Sequence, residues 1–356
     1  MKFKIGTAKL NAILSKVQKG VGGSNIVPIT EYLHLELEDG TLKLTSTDLN
    51  NFMTYSVSDI EGEDGDVIVK AIDLIRLVSK TTKPEMSFKA TDKAFEVKGN
   101  GNYKINILAD HSFPIYEFDE DSKSYTVKTS DLKNVLRTNY SAIAKEMLVP
   151  CLTGYNLSSK SITTDGLKMC INDVKIGNED LLIPQSLADL LAVIDSEEFT
   201  VQKDEDNLLF KTDAITIFGP ELDGKEEYPD VTSILDLEHP ASCVLSKAEL
   251  LSVLDRLSIF VDEFDNHSIK MTFNKDSVEI TDSNENSLET IEPKLASESN
   301  SGVTVTVNLV FLKELLGAIS EEDVTVHYGE GIPIKLTAEN LNLVLSIMDD
   351  EDTEEE

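Results

Sequence analysis

Tryptophan is absent from this chain of 356 residues, and arginine and cysteine occur only three times each. The cysteines Cys151, Cys170 and Cys243 are far apart and form no CxxC pair, which argues against a disulfide framework or a cysteine zinc site. The histidines His34, His111, His239, His267 and His327 form no HExxH or other ligand spacing. We therefore expect no metal and no cofactor.

Long apolar runs and catalytic motifs are missing as well. No run approaches the roughly 18 apolar residues of a membrane-spanning helix, and the start of the chain becomes polar too soon for a secretory signal. The chain has no GxSxG motif, no P-loop and no GxGxxG motif after a predicted strand. These absences predict a soluble, cytoplasmic protein without a membrane partner and without enzymatic activity.

Negative charge is what the chain has in excess, with 65 acidic residues against 32 basic ones and a net charge of −33. Six windows with helical apolar spacing are the exception, because together they carry +7 and hold all three arginines. The windows are 8–20, 70–83, 130–145, 185–194, 247–261 and 308–319. Lysine and arginine are good helix formers, which is one interpretation. The other is that these helices share a surface that faces a polyanion.

A hairpin unit recurs three times along the chain. The unit occupies residues 33–49, 150–170 and 268–282. Each copy ends in a Thr-Asp step, and Asp48, Asp165 and Asp282 are 117 residues apart. Such a fixed period indicates three copies of one module. An aspartate after a strand is typical of a turn in which the carboxylate binds the backbone just beyond, so we favour turns over a metal site.

Each module contains two predicted helices and a series of alternating strands. The first helices align in their apolar positions: Leu10, Ile13 and Leu14; Leu132, Val135 and Leu136; Leu250, Val253 and Leu254. We predict that Thr7 and Ser130 cap two of these helices and that Pro184 opens another. The class is α+β, with helices packed on antiparallel sheets and each module doubled. The predicted domains are 1–121, 122–240 and 241–348, followed by an acidic disordered tail at 349–356.

The order and spacing of several short motifs resemble one family. The motifs are Leu44-Thr45-Ser46-Thr47-Asp48-Leu49, Ser112-Phe113-Pro114, Leu152-Thr153-Gly154, Thr164-Asp165-Gly166, Tyr228-Pro229-Asp230 and Val307-Asn308. Together they resemble the bacterial DNA polymerase III beta subunit, the DNA sliding clamp. The resemblance implies the DNA-clamp fold, in which a head-to-tail homodimer closes into a ring of six modules. It also implies a processivity factor that encircles duplex DNA.

The resemblance further implies three sets of site residues. The DNA-facing set, for weak contacts without sequence specificity, is Lys9, Lys16, Lys19, Arg76, Lys80, Arg137, Lys145, Lys247 and Arg256. The dimer contact would be formed by Tyr103, Ile105, Ile259 and Phe260. A pocket would bind a peptide of the replicative DNA polymerase, the clamp loader and other clamp-motif proteins. Its walls would be Leu152, Thr164, Gly166, Leu167, Lys168, Met169, Pro229, Ile234, Phe311, Val344, Leu345 and Met348.

Three departures from the family pattern indicate a divergent member and leave a bacterial or a phage source open. Leu167-Lys168 stands where the family usually has His-Arg, and the loop at 21–25 lacks the usual arginines. The tail DDEDTEEE is the third, and we expect it to screen the pocket against acidic peptides or to mimic a competitor. Two alternatives remain: a clamp-like scaffold that binds peptides without encircling DNA, and an unrelated acidic β-rich protein that is a binding protein or a DNA mimic.

Overall fold

A computed structural model describes residues 1–23, 27–109, 111–119, 121–146, 148–177, 180–224, 227–296 and 302–348. The chain divides into two compact units. The first unit comprises Met1–Ser130 and Pro184–Glu221, and the second comprises Asp131–Ile183 and Leu222–Glu356. The middle third of the sequence therefore contributes to both units. The three domains predicted from the repeat describe copies of the sequence module, and their boundaries stay a prediction.

The secondary structure consists of short strands and seven α-helices within the described ranges. The strands are β1 Lys2–Gly6, β2 Tyr32–Glu38, β3 Thr41–Thr47, β4 Phe52–Val57, β5 Gly62–Glu63, β6 Gly65–Lys70, β7 Glu85–Ala90, β8 Phe95–Lys98, β9 Asn102–Ile105, β10 Ser124–Lys128, β11 Gly154–Leu157, β12 Ser161–Thr164, β13 Lys168–Asn172, β14 Leu181–Pro184, β15 Glu198–Lys203, β16 Asn207–Lys211, β17 Ile215–Pro220, β18 Ala241–Ser246, β19 Ser268–Phe273, β20 Val278–Asp282, β21 Leu288–Ile291, β22 Leu295–Ala296, β23 Val303–Asn308, β24 Asp323–Tyr328, β25 Ile334–Ala338 and β26 Leu341–Leu345. The helices are α1 Thr7–Val17, α2 Ala71–Lys80, α3 Thr129–Asn139, α4 Gln185–Leu191, α5 Thr232–Leu235, α6 Lys247–Leu257 and α7 Leu309–Ala318.

These elements form six half-units with one common order, which is strand, helix and three further strands. The half-units are β1-α1-β2-β3-β4, β6-α2-β7-β8-β9, β10-α3-β11-β12-β13, β14-α4-β15-β16-β17, β18-α6-β19-β20-β21 and β23-α7-β24-β25-β26. The predicted α+β architecture, with two helices per module on antiparallel sheets, is confirmed.

The first unit contains two antiparallel sheets. One has the order β5-β1-β7-β8-β9, and the other has the order β10-β15-β16-β17-β4-β3-β2-β6. The second sheet joins strands of the first and middle modules through β4 and β17, where Phe52 lies opposite Phe218. Helix α1 buries Leu10, Ile13 and Leu14 in the core of this unit. The apolar spacing read from the sequence is therefore the face that packs.

The second unit also contains two sheets. The larger has the order β14-β11-β12-β13-β26-β25-β24-β18-β22, and the smaller has the order β21-β20-β19-β23. Strands β13 and β26 join the middle module to the last one, with Lys168 opposite Leu345 and Met169 opposite Val344. Helices α6 and α7 bury their leucines in the core of this unit. The residues predicted to line a peptide pocket all belong to this unit.

Two of the predicted helix caps are wrong. Helix α1 is preceded by Gly6, and the Thr7 hydroxyl instead donates a hydrogen bond to the Lys83 carbonyl at 2.5 Å. Helix α3 begins at Thr129, so Ser130 is already inside its first turn. At α1 the capping position is occupied by Gly6, which has no side chain to accept a hydrogen bond. Pro184 ends β14 immediately before α4, which agrees with its predicted place at that helix start.

Candidate functional site

The repeated aspartates are turn residues, as predicted. Asp48 Oδ1 accepts hydrogen bonds from the backbone N–H groups of Asn50 at 3.0 Å and Asn51 at 2.7 Å. Asp165 Oδ1 accepts from Leu167 at 3.0 Å and Lys168 at 2.9 Å. Two carboxylates 117 residues apart therefore make the same contacts, which extends the repeat from sequence to atomic detail.

The third aspartate, Asp282, is fully buried. Burial alone would raise the pKa of its carboxyl, but hydrogen bonds from Ser287 and Asn286 lower it overall. Its carboxylate also accepts a hydrogen bond from the N–H of Asn284 at 3.2 Å.

Within the described ranges, no group of three or more histidine, cysteine or acidic side chains could hold a metal ion. In the same part of the chain, no helix is long and apolar enough to cross a bilayer.

An apolar cluster lies where β13 meets β26 in the second unit. Met169 and Val344 face each other across the two strands and are 5% and 7% exposed. Helix α5 covers this junction, with Val231 buried and Ile234 half-buried in the same cluster. The structure therefore brings three of the predicted pocket residues, Met169, Ile234 and Val344, into direct contact.

The other predicted pocket residues surround this cluster in different ways. Leu152 belongs to a neighbouring cluster with Tyr228, whose hydroxyl donates to the Ile162 carbonyl at 3.1 Å. Leu345 is fully buried in the main core of the unit, and the Thr164 hydroxyl donates to the Lys168 carbonyl at 2.9 Å. The remaining members are exposed or half-buried, namely Gly166, Leu167, Pro229, Phe311 and Met348. Gly166 has a positive φ of 92°, which favours glycine at this turn.

Lys168 carries the one charge among the predicted pocket residues, and its side chain is only 2% exposed. Its ammonium group forms an ion pair with Glu314, lies 3.3 Å from Asp165 Oδ2 and lies 4.8 Å from the Phe311 ring centroid. The other oxygen of Glu314 accepts a hydrogen bond from Lys145 at 2.9 Å. We name Lys145, Glu314, Lys168 and Asp165 the four-charge network.

The predicted DNA-facing residues of the first unit are mostly free. Lys9, Lys19, Arg76 and Lys80 are exposed, and none forms an ion pair with another described residue. Lys16 differs, because its Nζ lies 2.6 Å from Asp195 Oδ2. Four cations of α1, α2 and the turn after α1 are therefore available to an anionic partner.

In the second unit, the predicted DNA-facing residues all have partners. Lys145 is held by Glu314, and Arg256 binds both oxygens of Glu289 at 2.6 and 2.9 Å. The other two bind neutral groups. Arg137 donates to the Ala318 carbonyl at 3.1 Å, and Lys247 donates to the Ile319 carbonyl at 2.7 Å.

The predicted dimer residues lie next to sheet edges or helix ends. Tyr103 in β9 is 38% exposed, whereas Ile105 is 4% exposed and packs in the core of the first unit. Ile259 and Phe260 follow α6 and are 77% and 46% exposed. Their role in a dimer stays a prediction. Phe264 in the same loop is 98% exposed, and the sequence analysis did not predict it as a surface residue. Its position as a single aromatic residue among acidic ones could have indicated this exposure.

Sequence reasoning also missed Glu314. It lies 146 residues from Lys168 along the chain and sits in a helix that reads as an ordinary amphipathic one. No local pattern could identify it as a partner of a pocket residue. The predicted role of the tail at 349–356 falls outside the described residues, as does part of the loop at 21–25.

Comparisons with known proteins point to one family. Residues 1–117 match the family model of the DNA polymerase III beta subunit N-terminal domain, and residues 232–351 match that of its C-terminal domain. The beta sliding clamp of Bacillus subtilis is 23% identical over 305 residues, covering 79% of this chain and 80% of the relative. The beta sliding clamp of Buchnera aphidicola is 24% identical over 371 residues, covering 96% and 97%.

Solved structures agree on the fold. The DNA polymerase sliding clamp of Bacillus subtilis matches with a TM-score of 0.88 at 19% identity, covering 98% of this chain and 99% of that one. The beta subunit from the DNA polymerase of Streptococcus pyogenes matches with a TM-score of 0.89 at 18% identity, covering 98% and 100%. With both domain models matched and the fold shared, the chain belongs to the DNA polymerase III beta subunit family, the DNA sliding clamps.

Proposed function

We propose that two copies of this chain join head to tail into a closed ring that encircles duplex DNA. The ring tethers a replicative polymerase, and in turn a clamp loader and other clamp-motif proteins, through a peptide-binding groove at the apolar cluster of Met169, Ile234 and Val344, which we name the groove. The protein is not itself a catalyst in this role. One observation supports ring closure most strongly, and it concerns the last strand of each half-unit.

The six half-units end in β4, β9, β13, β17, β21 and β26. Within the chain, β4 pairs with β17 and β13 pairs with β26, each pair antiparallel. The two last strands left over, β9 and β21, each lie at the edge of a sheet. Pairing β9 of one copy with β21 of another would repeat the two junctions already present inside the chain.

The two edge strands match in length and exposure. Each has four residues, and in each the last isoleucine, Ile105 or Ile291, is buried. Tyr103 and Leu288 are exposed apolar residues on these strands. An exposed edge strand with apolar side chains is a template for pairing with another chain. Two such contacts in a head-to-tail dimer close a ring.

The charge pattern suits DNA held by enclosure. The members of the predicted DNA-facing set without an ion pair to a described residue are Lys9, Lys19, Arg76 and Lys80, on a chain with a net charge of −33. Few phosphate contacts on an acidic body give weak and salt-sensitive binding. We infer that the protein stays on DNA because the closed ring surrounds the duplex. The weak phosphate contacts allow the ring to slide along it.

The groove suits a short partner peptide. Met169, Ile234 and Val344 belong to one apolar cluster. Leu167 and Pro229 are exposed, and each precedes a member of that cluster by two residues in the sequence. Apolar anchors in such a groove, with a few polar groups at its end, fix a linear segment.

The ring is tested by sedimentation of the purified chain and by negative-stain imaging at moderate salt. We expect a dimer and closed rings with a hole of roughly 20 Å or more, the width of a duplex that the ring must enclose. Leu288→Asp in β21 should produce monomers, because it places a charge in the edge contact. Leu295→Asp, at a site of similar exposure in β22, is the matched control and should stay dimeric.

Single crescents of the wild-type chain, or a Leu288→Asp variant that still forms rings, would contradict the proposed contact. Crescents that bind partner peptides would favour the clamp-like scaffold that does not encircle DNA.

A further inference from the structure

Lys168 is the charged side chain of the groove, and its ammonium group is buried and already paired, so it is not accessible to a ligand. An ammonium group has three donors, and Glu314, Asp165 and the face of Phe311 surround this one. With its side chain 2% exposed, Lys168 can bind an acidic group of a peptide only if one of these contacts opens. The groove therefore offers no available positive charge at this position.

Glu314, which holds Lys168, is itself held from its other side. Burial alone would raise the pKa of Glu314, but hydrogen bonds from Lys168 and Lys145 lower it overall. Glu314 is therefore ionised at neutral pH, and the two lysines of the four-charge network balance its two carboxylates. The four-charge network carries no net charge.

The segment that packs on the apolar cluster is acidic. Residues 227–238, which include α5, contain four acidic residues and no lysine or arginine. Glu227 and Asp236 in this segment are exposed. Like charges at the rim of a binding site repel an acidic partner and attract a basic one, which contributes specificity more than affinity.

We propose that the groove selects an apolar peptide flanked by lysine or arginine and discriminates against the same peptide with acidic flanks. This inference rests on the proposed function, because it assumes that the groove is the partner site. An acidic flank would meet the carboxylates of the rim, and it would reach Lys168 only by displacing Glu314 or Asp165. A basic flank meets the rim favourably and leaves the network intact.

The test compares two labelled peptides with one central Leu-Leu-Phe segment, one with two lysines at each end and the other with two glutamates. Their affinities for the full chain are measured by fluorescence anisotropy at 50 mM salt. We expect the lysine-flanked peptide to bind at least tenfold more tightly. The difference should shrink at 500 mM salt, because exposed charges are screened over a few ångströms there.

Glu314→Gln sharpens the test, because it keeps a hydrogen-bond acceptor beside Lys168 and removes the charge. This variant should bind the glutamate-flanked peptide severalfold more tightly than the wild type does. Glu322→Gln is the matched control, since Glu322 is an exposed glutamate of the same unit without an ion pair among the described residues. It should leave the preference unchanged. The wild-type comparison stands even if Glu314→Gln folds poorly.

The outcomes separate the two proposals. Binding of neither peptide would overturn the groove as a partner site and the charge preference with it. Equal binding of both, or tighter binding of the glutamate-flanked peptide, would overturn the preference and leave the groove in place.

Discussion

The two units differ in how many of their predicted DNA-facing lysine and arginine side chains are paired with other residues of the chain. In the first unit, four of the five predicted DNA-facing cations have no ion-pair partner within the described ranges. In the second unit, all four corresponding residues bind a carboxylate, a carbonyl or a hydroxyl. Four predicted DNA-facing side chains of the first unit are thus available for a ligand, whereas those of the second unit make contacts that stabilise the unit itself.

This difference has a physical consequence for DNA binding. A cation already paired with a carboxylate releases few counterions when it approaches a phosphate, so it adds little to the affinity. We therefore expect Lys145 and Arg256 to contribute less to duplex binding than the unpaired cations of α1 and α2, whereas Arg137 and Lys247 bind neutral carbonyls and keep their charge. The net charge of the helical windows, counted from the sequence, therefore overestimates how much the second unit contributes to DNA binding.

The largest expected effect concerns the stability of the second unit. Glu314→Ala would leave the buried Lys168 ammonium with Asp165 as its one remaining carboxylate, and we expect a loss of about 2 to 3 kcal/mol in the free energy of unfolding. Lys9→Ala removes an unpaired cation of the first unit and should change little. Denaturant unfolding of both variants measures the difference. Equal losses would mean that pairing does not distinguish the units.

The second effect concerns duplex binding. Arg76→Gln combined with Lys80→Gln removes two free cations and should reduce the slope of log K against log salt by about 1.8, at roughly 0.9 for each phosphate contact. Lys145→Gln combined with Arg256→Gln removes the same charge from paired residues and should leave the slope nearly unchanged. Binding to a labelled duplex is measured between 50 and 200 mM salt. A similar reduction in both variants would contradict the assignment.

The smallest effect is a dependence on pH. The pKa of Glu314 is lowered in the folded protein from its ordinary value of 4.5, although burial opposes this, because Lys168 and Lys145 bind it. A lowered carboxyl pKa stabilises the fold fully above the unfolded value and loses that effect as pH falls through the folded value. The melting temperature of the wild type should therefore exceed that of Glu314→Gln at pH 7, and the gap should narrow below pH 4.5.

The matched control for this measurement is Glu322→Gln, which should follow the wild type at every pH. A gap between the wild type and Glu314→Gln that stays constant down to pH 3.5 would show that the Glu314 charge does not contribute through its pairing.

Local features of the fold were predictable from the sequence. The apolar spacing of Leu10, Ile13 and Leu14 identified α1, and the 117-residue period identified the turns at Asp48 and Asp165. These signals lie within a few residues of one another, where backbone geometry and side-chain periodicity determine the outcome.

Features that join distant parts of the chain were not predictable. The pairings of β4 with β17 and of β13 with β26 connect different modules. The alternation of apolar and polar residues within a strand does not predict which strand will pair with it. Glu314 could not be linked to Lys168 for the same reason. The pocket residues were predicted from the family motifs. They included Leu345 as part of the pocket wall, although that side chain is buried in the core.

Retention on circular DNA tests the central claim most directly. The protein is diluted to open its dimers, mixed with a nicked circular plasmid, concentrated and passed through gel filtration at 0.5 M salt, before and after one restriction cut. We predict that it stays with the circle and leaves the linear DNA, because a closed ring is held by topology when phosphate contacts are screened. Equal retention on both forms, or imaged rings that are never retained on the circle, would contradict the account.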